Sequence, residues 1–142
     1  MKDWDVKTIV LGYDGSCGAE KAAQIAATMA RQNEARLIVV SVFPEPEVGG
    51  KGEMEGRVNR AIPAAEALAQ DMAFRLKESG VEAQAETWEG HAPEALLRAA
   101  DAHHADVIVI GRRGHSLVAD LLLGSTSEHV VRRAKVPVVV AH

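Results

Sequence analysis

Three glycines and a hydroxyl stand at fixed spacing in Gly111-Arg-Arg-Gly114, followed after nine intervening residues by Gly124-Ser125. Glycines at 111 and 114 let the backbone turn sharply and approach a ligand without a Cβ in the way. The run Ser125-Thr-Ser-Glu128 has the S-x-x-E spacing of a capping box, which predicts a helix beginning at Ser125 with unpaired N–H groups just after it. Those donors and the helix dipole make an anion site, and the natural anion for a strand, glycine loop and helix is a phosphate chain. The stretch reads as a nucleotide loop. A second chemical residue, Asp14, ends the apolar run Ile9-Val-Leu-Gly-Tyr, where open α/β sheets place their ligands.

The elements that must position these groups follow from periodicity. Residues 7–13 form a buried first strand, and Ser16 can cap a helix whose stripe Ala19, Ala22, Ala23, Ala26 and Met29 stops near Asn33. Residues 36–43 are apolar on both faces, as in the centre of a parallel sheet. Residues 44–56 are rich in glycine, proline and charge and read as a surface loop at the same sheet edge as Asp14, either a lid or a segment without ligand contact. Ile62, Ala65, Ala69, Met72 and Leu76 carry the next helix, with Pro63 near its start and Gly80 as a left-handed stop. Residues 81–89 alternate as an edge strand does, Pro93 opens a third helix ending near His103 and His104, and residues 105–110 are the fourth strand. The fourth helix ends in Arg132, Arg133 and Lys135, cations suited to the negative end of its dipole. Helices joining apolar strands predict an α/β fold, one domain over residues 1–142 with an open, doubly wound, parallel five-stranded sheet and helices on both faces.

Composition narrows the function. The net charge is −4, and no cluster of Lys or Arg interleaved with aromatics suggests a nucleic-acid footprint. No apolar run approaches the roughly 20 residues of a membrane span, and Met-Lys-Asp-Trp-Asp is no signal peptide, so a soluble cytoplasmic protein is expected. Cys17 is the single cysteine and cannot form an internal disulfide; an inert small residue is the plainer reading than an oxidant sensor. Gly49-Gly-Lys-Gly52 fails as a Walker loop, because Glu45 stands where a glycine is needed and Gly52 where a Ser or Thr is needed. The histidines at 91, 103, 104, 115, 129 and 142 show no metal-ligand spacing and are expected at the surface, with no structural metal. The last strand, Val136-Pro-Val-Val-Val-Ala141, has no charge to guard an open edge, so either a partner or the chain's own helices must cover it.

The G-x2-G-x9-G-[ST] spacing, the opening Ile9-Val-Leu-Gly-Tyr-Asp14-Gly-Ser16, the second strand and the closing strand together resemble the nucleotide-binding universal stress proteins over nearly the whole chain. The resemblance implies a Rossmann-like sheet of order 3-2-1-4-5, in which the switch point between strands one and four brings Asp14 beside Gly111 and Gly114. It also implies ATP, AMP or another adenine nucleotide as ligand, with or without magnesium, and a homodimer through the closing strand. By motif position the adenosine end falls to Asp14, as acceptor from ribose hydroxyls, and to the backbone at Val42. The phosphates fall to Gly111, Gly114, Gly124 and Ser125, with Thr126 as a backbone donor. Asp14 has a second reading as an Asx cap on the first helix, and Arg112 and Arg113 either screen phosphate charge or point into solvent. No set of groups for orienting water and holding a metal is visible, and nothing fixes Asp120 near a γ-phosphate. A regulatory nucleotide-binding module in the stress response is therefore expected, with a slow ATPase and a nucleotide-independent scaffold as the other two readings.

Overall fold

The computed structural model describes residues 3–45, 53–112 and 123–142, and for 53–59 the backbone alone. Gly49 to Gly52 in the rejected Walker match, Arg113, Gly114, His115 and Asp120 lie outside the described residues. The element order is β1 (Thr8–Gly12), α1 (Cys17–Asn33), β2 (Arg36–Phe43), α2 (Glu53–Glu78), β3 (Glu82–Glu89), α3 (Ala92–Ala102), β4 (Val107–Gly111), α4 (Ser125–Arg133) and β5 (Val138–Ala141). All strands pair in parallel, in the order β3-β2-β1-β4-β5. This is the expected α/β architecture and strand order.

Strand alternation sorts the core into two layers. Ile9, Leu11, Leu37, Val39, Val107 and Val109 face α1 and α2, whereas Val10, Ile38, Val40, Ile108 and Ile110 face α3 and α4. Period-two alternation with both faces apolar is what makes these strands read as continuous apolar runs. The face of α1 that meets the sheet consists of Ala19, Ala22, Ala23, Ala26, Ala27 and Ala30. Side chains of one carbon let the helix sit close to the strands, and that closeness matters at Gly111, below.

Helix ends follow local chemistry. Ser16 caps α1, its Oγ accepting the Ala19 N–H at 3.1 Å. At the far end of α2 the Val81 N–H donates to the Leu76 carbonyl and the Gly80 N–H to that of Lys77, with Gly80 at φ +88°. This is a Schellman stop on the expected glycine. The start of α2 departs from expectation: Pro63 lies inside a helix that already begins at Glu53, so residues 53–56 are helical and not loop. An interior proline forfeits one backbone hydrogen bond and costs about 3 kcal/mol. A stripe that buries Ala65, Ala69, Met72 and Leu76 against the sheet offsets it.

Candidate functional site

At the carboxyl end of the sheet, β1 and β4 are neighbours whose following chains lead to opposite faces: after β1 to α1, after β4 toward α4. Such a switch point opens a crevice. Here the crevice is a cavity of about 490 Å³, a size in the range of small-molecule sites. Gly12, Tyr13, Asp14 and Ser16 line it from the β1 end, Val40 to Pro44 from β2, and Ile110, Gly111 and Arg112 from β4. Gly124, Ser125, Thr126 and Ser127 line it from the start of α4. Ala61, Ala64, Ala65 and Leu68 of α2 and Leu96 of α3 give it apolar walls.

Asp14, Val42, Gly111, Arg112, Gly124, Ser125 and Thr126 are thus brought to one cavity from four separate parts of the chain, and Gly114 alone among the expected site residues lies outside the described residues. The chain is held firmly at Asp14. The Tyr13 N–H donates to the Val40 carbonyl at 2.9 Å, and the Ser41 hydroxyl, 2 % exposed, donates to the Tyr13 carbonyl at 2.7 Å. One Asp14 carboxylate oxygen accepts the Ser16 N–H at 3.0 Å, so the Asx turn exists. A carboxylate has about four lone-pair sites, so that turn does not preclude a ligand role.

The start of α4 differs from the capping-box expectation. Gly124 is the N-cap, at φ −72° and ψ 166°, and Ser125 is the first helical residue. A serine with helical dihedrals cannot turn its Oγ onto the N3 amide, so the box is out of register by one residue. Glu128 pairs instead with Arg132, one turn along, at 2.9 Å. The donors at the helix start are unaffected by this shift, because the Glu128 N–H makes the first intrahelical bond, to the Gly124 carbonyl. The N–H groups of Ser125, Thr126 and Ser127 therefore have no partner within the helix, and the positive end of the dipole faces the cavity mouth.

Gly111 has a different reason from the one its spacing suggests. A Cβ built on it would lie 2.6 Å from the Gly18 carbonyl carbon, 2.8 Å from the Gly18 oxygen and 3.0 Å from the Ala19 nitrogen. The missing side chain admits the backbone of α1. Its backbone still lines the cavity.

Three features had no signal in the sequence. Arg75 on α2 grips Glu20 on α1 through two nitrogens, at 2.8 and 3.1 Å, and donates to the Tyr13 hydroxyl at 2.9 Å, while that hydroxyl donates to Glu20. Burial, then the hydrogen bond and negative charge of Glu20, push the Tyr13 phenol up to about 12 against the opposing effect of Arg75. The Arg75 hydrogen bond holds the Glu20 carboxyl below the usual range, burial acting against it. This network ties the two helices of one face together beside the cavity wall. His103 is the second. Expected at the surface, it instead meets the Glu86 carboxylate at 2.8 Å, with 17 % of its side chain exposed, because the C-cap of α3 lies over β3. Burial would raise the Glu86 pKa, but bonds from Trp88 and His103 outweigh it and hold the group low. The third is Ser127, a buried hydroxyl in the first turn of α4. Among the described residues no group of His, Cys, Asp and Glu could hold a metal ion, and no helix is long and apolar enough to cross a membrane.

A model of the universal stress protein family matches residues 5–142. A universal stress protein of Thermus aquaticus is 41% identical over 135 residues, covering 93% of this chain and 96% of that protein. Universal stress protein UspA from Lactobacillus plantarum superposes with a TM-score of 0.88 at 20% identity, over 99% of this chain and 100% of the other. A solved universal stress protein in complex with cAMP gives 0.75 at 28% identity, over 96% and 97%. One from Archaeoglobus fulgidus in complex with dAMP gives 0.73 at 24%, over 99% and 100%.

Proposed function

The chain belongs to the universal stress protein family, and from that premise we propose that it is an adenine-nucleotide-binding regulatory module of the stress response, with ATP as a working ligand. The observation that carries this reading is the cavity at the switch point, apolar along α2 and ending at the start of α4. That division suits a nucleotide. A base and sugar belong against Ala61, Ala65 and Leu68 with Asp14 and the Val42 backbone at hand, and phosphates belong at Gly111, Arg112, Gly114, Gly124, Ser125 and Thr126. The relatives solved with cAMP and dAMP support the adenine class. Magnesium would accompany a triphosphate as counterion to its oxygens.

In this reading the nucleotide acts as a conformational ligand, favouring the state that binds it better and so biasing a surface for partners. The edge of β5 is the natural surface for a second copy: Val138, Val139 and Val140 are only partly buried, and an unguarded apolar edge invites pairing. The test is mass spectrometry of nucleotide released by acid from the purified protein, followed by calorimetric titration with ATP, AMP and cAMP. Co-purified adenine nucleotide or micromolar binding, weakened at least about tenfold in Asp14→Ala by loss of a charged acceptor, is the expected result. No release and no heat would end the proposal and leave the scaffold reading.

A further inference from the structure

Ser127 is one of four buried polar residues among the described positions, 2 % exposed in the first turn of α4. Its hydroxyl reaches the Arg112 carbonyl, across 15 residues of chain, at 2.7 Å, and lies 3.0 Å from the Gly124 carbonyl. The same Arg112 carbonyl accepts the Gly124 N–H at 2.8 Å, and the Arg112 N–H donates to the Ala141 carbonyl at 2.8 Å. The residue leaving β4 is therefore pinned on three sides: to β5 through its N–H, and to the start of α4 through both lone pairs of its carbonyl.

We propose that Ser127 is a positioning residue for the phosphate end of the site, its hydroxyl locking the first turn of α4 onto the end of β4 so that the N–H groups of Ser125 and Thr126 converge on the cavity mouth. The Gly124 N–H alone is a single point of attachment, about which the helix start can swing. A second bond one turn along, to the same oxygen, removes that rotation. Backbone donors act on an anion only when their directions converge, since hydrogen bonds weaken steeply away from linearity. Loss of the hydroxyl would leave the donors present but less well aimed, and would also leave the carbonyls it serves less satisfied. The apolar end of the cavity along α2 makes no use of this clamp.

This inference rests on the nucleotide reading above, and its test separates the two. Dissociation constants for ATP and for adenosine are measured by calorimetry on the full chain and on Ser127→Ala, with urea unfolding run alongside. The expected result is a fivefold to tenfold loss of ATP affinity, about one hydrogen bond's worth of alignment, with adenosine changed less than about twofold. Ser127→Thr, which keeps the hydroxyl, should recover most of the ATP affinity. Should the alanine variant not fold, Ser127→Cys keeps the volume with a weak donor and is read in the same way. A parallel loss of ATP and adenosine would overturn the assignment in favour of a structural role, as would unchanged ATP affinity. A wild-type protein that binds neither ligand removes the nucleotide reading itself.

Discussion

Gly111→Ala tests whether the first glycine of the loop motif belongs to the site or to the fold. The added methyl would stand 2.6 Å from a backbone carbon of Gly18, against about 3.5 Å for relaxed carbon contact, an overlap of about 0.9 Å. All three nearest atoms are main chain, so no rotamer change relieves it. Helix α1 cannot simply lift, because six buried alanines seat it on the sheet. Overpacking of this kind costs typically 1–3 kcal/mol, and the backbone identity of the obstacle argues for the upper half. Replacing glycine also removes unfolded-state freedom worth about 0.4–1 kcal/mol in the opposite direction. The net expectation is a loss of about 1–2.5 kcal/mol, read by urea denaturation followed by circular dichroism, as a lower midpoint with unchanged slope. Nucleotide affinity should fall only secondarily, as the start of α1 and the adjoining Asp14 turn shift. A variant within about 0.5 kcal/mol of the parent in stability, yet devoid of nucleotide binding, would refute the packing argument and return Gly111 to the ligand.

Tyr13 is the single tyrosine, so its titration is directly visible as tyrosinate absorbance near 295 nm. The midpoint should lie at about 12, and Glu20→Gln should lower it by removing the neighbouring charge. Because the folded value is raised, the group's contribution to stability is complete below about 10, its unfolded value, and is lost as pH rises from there through about 12. A midpoint near 10 in the folded protein would contradict the network. Glu34, the C-cap of α1, holds φ 53° and ψ 40°, a left-handed conformation that strains any residue with a Cβ. Glu34→Gly should therefore raise the unfolding free energy by about 0.5–1 kcal/mol, strain relief exceeding glycine's entropic cost, and a net loss in urea titration would count against it.

Strands β1, β2 and β4 were legible because burial on both faces leaves uninterrupted apolar runs. The sequence reading of β2 as residues 36–43 coincides with its observed bounds. Strand order came from family resemblance, since apolar runs alone do not tell which strand lies beside which. Local signals misled where two grammars overlap. Ser125-Thr-Ser-Glu128 satisfies a capping box, and α4 does begin at Ser125, but its N-cap is Gly124, tied to the Arg112 carbonyl, and not the serine. Pro63 reads as a helix start, yet the apolar stripe beyond it holds a helix on both sides of the ring. The Tyr13, Glu20 and Arg75 network was invisible for another reason: Arg75 lies 62 residues from Tyr13, and only the packing of α2 beside α1 brings them together. The spacing singled out Gly111, but nothing local to it announced the Gly18 backbone that a side chain there would meet.

Ile9, Val10 and Leu11 lie against Val107, Ile108 and Val109, and two N–H groups at the start of β1 are closed by the Asp106 carboxylate, 98 and 99 residues away. This seam joins the two halves of the polypeptide, and closing so long a loop is among the slow and entropically costly events of folding. The cavity sits directly over its end. Whatever is held there between Asp14 and α4 works as a bolt across the seam, adding about 2.7 kcal/mol to the folded state at a hundred times its dissociation constant. Protection from unfolding, and so from proteolysis, would then rise and fall with the ligand's concentration. The lifetime of the molecule would itself be a readout of the pool it samples.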